Sequence, residues 1–169
     1  MITLQKSVDL WVEIYLPQKR TILYSSNYYL INFPATVFLL VNKRNLFIYF
    51  VNKNYTLCQA NYFLPNISAL GVCLNHHRAL NNEFPESVLL NGLDQLVSDF
   101  WLTEFQPTGW HFPEGGWEKQ LKFMEEESNW LDKIDYKAGF NNYKILREYE
   151  NLCINLVFEK LSKKDETCK

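Results

Sequence analysis

Ala35-Thr36-Val37-Phe38-Leu39-Leu40-Val41, then Asn42-Lys43-Arg44-Asn45, then Leu46-Phe47-Ile48-Tyr49-Phe50-Val51: this stretch decides the reading of the fold. Both apolar runs are dense in β-branched and aromatic residues, which suit a pleated backbone, and the four residues between them suit a turn. Neither run alternates apolar with polar, so both faces of the hairpin are expected to be covered, as for a central pair with a helix on one side. Asn52-Lys53-Asn54 then turns into a third strand, Tyr55 to Tyr62, and an antiparallel meander results. Upstream, Val8 to Leu16 reads as a strand, Pro17 with Gln18-Lys19-Arg20 as a turn, and Thr21 to Tyr24 as a second strand. Residues 28–33 fit extended chain and loop equally well.

Downstream the period changes. Phe84-Pro85-Glu86-Ser87 opens a helix in which Leu89, Leu93, Leu96, Val97, Phe100 and Trp101 recur at three- and four-residue intervals. Gly92 costs that helix about 1 kcal/mol relative to alanine. Pro107, Gly109 and Pro113 end it in a loop. Trp117, Leu121 and Met124 mark a short helix with Glu125-Glu126-Glu127 on solvent. A last helix spans about residues 142–161, with Leu146, Tyr149, Leu152, Cys153, Leu156 and Val157 inward. The fold class is therefore α+β, an antiparallel β-meander followed by helices packed on one face. Residues 1–162 form a single domain and residues 163–169 a polar, frayed tail.

Composition narrows the function classes. The chain has 169 residues, 47% hydrophobic and 16% aromatic, which is the balance of a folded domain with a proper core. A formal net charge of −2 leaves no basic footprint for nucleic acid. The N-terminus lacks the charged and apolar regions of a signal peptide, and no apolar run approaches the roughly 20 residues of a spanning helix. A cytoplasmic, membrane-free protein is expected. The cysteines at 58, 73, 153 and 168 show no C-x-x-C spacing and are expected as thiols.

The stretch with chemical potential is Leu64-Pro65-Asn66-Ile67-Ser68-Ala69-Leu70-Gly71-Val72-Cys73-Leu74. Pro65 ends the preceding strand and Gly71 permits a tight backbone two residues before the sulfur. Such a segment presents a nucleophile well, and it equally well holds a buried structural cysteine. Asn66 stands as an oxyanion donor or as a side chain tying the turn to backbone amides. His76, His77 and His111 stand as acid–base groups near the thiol or as solvated loop histidines. Cys58, Cys73, His76 and His77 are permissible zinc ligands, but adjacent ligands rarely close a tetrahedral site, and no metal or cofactor is expected. Phe100, Trp101 and Phe105 read as core with one exposed edge.

The same stretch resembles the active-site segment of ubiquitin-conjugating enzymes, whose pattern runs His-Pro-Asn-Ile, a spacer, then Gly-x-Ile/Val-Cys-Leu. Leu64 stands where that family has histidine, and Asn66 precedes Cys73 by one residue fewer. The chain is more similar to a bacterial branch, the prokaryotic conjugating-enzyme family D, also called PRTRC system protein B. Thr56-Leu57, Asn66-Ile67, Gly71-Val72-Cys73 and Phe100-Trp101-Leu102-Thr103-Glu104-Phe105 carry that resemblance, over roughly residues 34 to 112. It implies a ubiquitin-conjugating-enzyme-like fold with its first helix reduced or absent. It also implies that Cys73 takes a ubiquitin-like modifier as a thioester and passes it to an amine, with Asn66 steadying the oxyanion. The implied partners are a ThiF-like adenylating enzyme, the modifier and a JAB-type metalloprotease. The family's histidine after the helix signature is missing at Gln106-Pro107, and His111 lies four residues beyond Pro107. The alternative is a non-catalytic scaffold or binder of a ubiquitin-like protein on the same fold.

Overall fold

A computed structural model describes residues 9–65, 67–68, 71–72, 74, 83–90, 92–106, 113–134 and 144–167. The central hairpin is present as read: β4 (Thr36–Val41) pairs antiparallel with β5 (Asn45–Val51), and every residue of β4 is buried. Successive side chains of a strand point to opposite faces, so an all-apolar strand must be covered twice. Phe38 and Leu40 enter one cluster, while Val37, Leu39 and Val41 enter the other.

Upstream of the hairpin the register corrects the reading of Pro17. β1 (Leu10–Tyr15) pairs with β4, and β2 (Gln18–Tyr24) pairs with β3 (Asn27–Phe33). The last pair of the first ladder is Tyr15↔Thr36 and the first pair of the second is Gln18↔Phe33, so the register runs through without a slip. β1–β2 and β3–β4 are thus two long strands of one hairpin, and Pro17 with Pro34 makes a step in it, not a turn. Neither proline has an amide hydrogen for the ladder, which parts the hairpin into two sheets there. Its tip is Ser25-Ser26, both in the left-handed region at φ 46° and 66°, as a two-residue hairpin turn requires.

The first sheet has the order β1-β4-β5-β6, where β6 is Leu57–Gln59. In terms of the long strands this is a simple up-and-down meander. The third strand is shorter than expected, because Ala60–Tyr62 closes into a 3₁₀ turn. β7 (Ile67–Ser68) and β8 (Gly71–Val72) form a miniature ladder that packs against β5. The second sheet is β3-β2-β9, with β9 (Glu104–Phe105) parallel to β2.

The helical stripe at 89–101 is buried throughout, but the helix is not continuous. α1 (Glu86–Leu89) and α2 (Asp94–Leu102) are separated by Gly92 at φ +73°, a conformation that side chains resist. Phe100, Trp101 and Phe105 are wholly core, with no exposed edge. α3 (Trp117–Glu126) buries Trp117, Leu121 and Met124 as its spacing predicts, and a further short helix follows, α4 (Trp130–Lys133). Glu125 is not merely solvated, since its Oε2 accepts the Leu30 amide at 2.6 Å on the free edge of β3. Trp130 Nε1 donates to Asn32 O on the same edge at 2.7 Å.

α5 (Lys144–Thr167) extends past the expected end at 161. It also corrects the expectation of helices on one face. Cys153 and Val157 join the cluster of Ile14, Val37, Leu39, Val41 and Tyr49, whereas α1–α4 cover the opposite face of the first sheet. Leu152 faces out at 45% exposure, whereas Cys153, Leu156, Val157 and Leu161 turn toward the sheet. Among the described residues no helix is long and apolar enough to cross a membrane.

Candidate functional site

Cys73, Asn66, His76, His77 and His111 lie outside the described residues. Their immediate flanks do not. The 3₁₀ turn that leads into the segment is closed by Phe63 and Leu64 amides, both donating to Ala60 O at 2.9 Å. Gln120 of α3 clamps it from outside, its Nε2 donating to Tyr62 O and Phe63 O, each at 3.1 Å. Phe63, Leu64 and Pro65 are buried. Leu64 therefore occupies a site where a histidine would need a buried partner, which gives a packing reason for the apolar residue there.

Beyond Asn66, the pairs Ile67↔Val72 and Ser68↔Gly71 fold the chain back on itself. Ile67 and Leu74 are buried and anchor the two ends of this small loop in the core. Asn61, in the 3₁₀ turn, is buried with its Oδ1 lacking a hydrogen-bond partner. Cys58 sits in the core, with its Sγ bonded to Thr56 O at 3.7 Å, which takes it away from any solvent-facing ligand set. Among the described residues no group of three His, Cys, Asp or Glu could hold a metal ion.

Cys153, the other described cysteine, is sealed beneath α5. Burial first, and Glu150 second, push its thiol up to about 11. A thiol held protonated in this way is a poor nucleophile at neutral pH. Tyr15 of β1 is raised to about 12, by burial and then by Asp94, to which its hydroxyl donates at 3.2 Å. That bond ties β1 to the first turn of α2.

A cleft that no sequence motif marks opens at the proline step. It measures about 550 Å³ and lies between Pro17, Pro34, the β5–β6 connection at Asn52-Lys53, the start of α4 and Leu161. Its walls come from five separated parts of the chain, so no local motif announces it. The Gln18 amide nitrogen on its wall is buried without a hydrogen-bond partner, and leaving a buried donor unmet costs about 1–3 kcal/mol.

Compared with known proteins, the chain matches no family model, no curated protein and no solved structure.

Proposed function

We propose that this chain is a ubiquitin-conjugating-enzyme-like carrier that accepts a ubiquitin-like modifier on Cys73. The Cys73 thiolate attacks the modifier's thioester on a ThiF-like activating enzyme, and the enzyme's cysteine leaves as thiolate. An acceptor amine then attacks the same carbonyl carbon, an amide forms, and Cys73 leaves as thiolate while the amine's proton passes to solvent. Asn66 donates to the oxyanion that develops in both steps, a contribution worth about 2.7–4 kcal/mol where such a donor is well aimed.

One observation carries this reading. The Ile67↔Val72 pair brings together the residue that follows Asn66 in sequence and the residue that precedes Cys73. The meander order and the buried anchors Leu64 and Leu74 also support it.

The test is a thioester trap. The chain is incubated with a ThiF-like activating enzyme, its modifier and ATP, and resolved without reductant. A reductant-sensitive adduct that persists in Cys58→Ala and vanishes in Cys73→Ala is the expected result. Modifier binding without an adduct would replace the carrier with a scaffold.

A further inference from the structure

The cleft at the proline step takes no part in the thioester reading. No residue between Tyr55 and Ser128 lines it, so the segment bearing Cys73 is not in its wall. Its volume of about 550 Å³ is that of a small-molecule pocket, for which roughly 300–1,000 Å³ is usual. The apolar part of the lining includes Pro17, Pro34, Ala35, Val51, Leu131 and Leu161.

The polar part sets two cations among amides and hydroxyls that can donate or accept. Lys19 and Lys53 bring two ammonium groups, and among the described residues neither has a carboxylate within ion-pair distance. The buried amide nitrogen of Gln18 is a third donor with nothing to bond. Asp132 is the single carboxylate in the lining, and its Oδ1 accepts the Lys53 backbone amide at 3.4 Å. Calcium or magnesium favours several carboxylates, and the one carboxylate in the lining is already engaged.

We infer that this cleft binds a small organic acid, its carboxylate held by Lys19, Lys53 and the Gln18 amide and its carbon body resting on Pro17, Pro34 and Leu161. Charge-assisted hydrogen bonds to a carboxylate are the strong ones, and a pre-set neutral donor beside two cations fixes the orientation of the two oxygens. Lysine ammonium groups recognise phosphate by the same chemistry, so the ligand's carbon body is what separates the two sources.

The experiment is an NMR titration of the ¹⁵N-labelled full chain with succinate, at ionic strength held constant with sodium chloride. Inorganic phosphate serves as the second arm. Saturable shifts confined to Gln18, Lys19, Lys53 and residues 128–132 are expected with succinate. Lys19→Ala and Lys53→Ala should each weaken binding about tenfold, the value of one charge-assisted bond. Gln18→Leu, which keeps the bulk and removes the donor, should weaken it as well. Cys73→Ala should leave the titration unchanged, which keeps this result separate from that of the thioester trap. Saturation by phosphate and not by succinate would overturn the organic-acid assignment. So would the absence of saturable shifts, shifts centred elsewhere, or a Lys19→Ala/Lys53→Ala double variant that binds like the parent.

Discussion

The two faces of the first sheet are built by different means. Toward α1–α4 the contact is a network of rings drawn from many elements. Trp130 of α4 meets Phe50 at 5.5 Å, Phe63 at 5.4 Å and Phe33 at 6.2 Å, and Phe33 in turn meets Trp101 at 4.8 Å. Toward α5 the contact is mainly aliphatic, and among the described side chains of the helix only Cys153 and Val157 are fully sealed in. A network held from several directions loses packing everywhere when one ring goes. A single helix on a sheet can leave and return as a unit. The first face therefore sets the global stability, and the second sets where the molecule opens first.

The largest expected effect tests the ring network. Trp130→Ala removes a fully buried indole and its bond to Asn32 O, and should cost about 3–5 kcal/mol by chemical denaturation, with loss of the fold as a whole. Val157→Ala, on the other face, should cost about 2 kcal/mol. Its sharper signature is faster hydrogen exchange within α5 while β4 and β5 stay protected. Uniform acceleration across both would erase the distinction between the faces.

Alkaline pH reaches the α5 face first, before Tyr15 on the other face begins to contribute. An unfolded thiol releases its proton near 9.0, and folded Cys153 holds its proton to about 11. The unfolded chain therefore binds fewer protons between those values, so stability is intact below pH 9, falls as pH rises toward 11, and levels off above. The loss at pH 10 should be about 1 kcal/mol and should shrink in Cys153→Ala. Tyr49, pushed up by burial and by the neighbouring Cys153, adds a loss of the same sign at higher pH. Smallest of all is Lys133→Ala. Its ion pair with Glu127, at 2.5 Å, is half exposed, and its removal should change stability by less than about 1 kcal/mol.

How much of this was legible in the sequence depended on whether the signal was local. The β4–β5 hairpin is two β-branched and aromatic runs around a polar turn, the stripe from Leu89 to Trp101 is helical periodicity, and both signals are local and read well. Pro17 was misread because a proline marks a break in hydrogen bonding without saying whether the chain turns. Only its pairing partner, Pro34 across the hairpin, tells a step from a turn. Gly92 showed a cost but not its use, since a left-handed residue between α1 and α2 is set by how each helix packs. The face of α5 and the outward Leu152 depended on a sheet more than a hundred residues away in sequence. Of the candidate site, the sequence marked the segment from Leu64 to Leu74 by its motif, while the burial of Leu64 and Leu74 depends on the folded core. The cleft was invisible because its walls meet only after folding.

The unbroken register through Pro17 and Pro34 also bears on how the chain finds this structure. Every pair from Tyr24↔Asn27 out to Leu10↔Val41 lies further from the same two-residue turn than the one before it. Once Ser25-Ser26 has closed, each further pair shortens no new loop of its own, so the entropy of loop closure is incurred once, at the tip. Half of the meander can thus zip from a local start, and contacts between residues 31 positions apart are reached as neighbours of contacts already made.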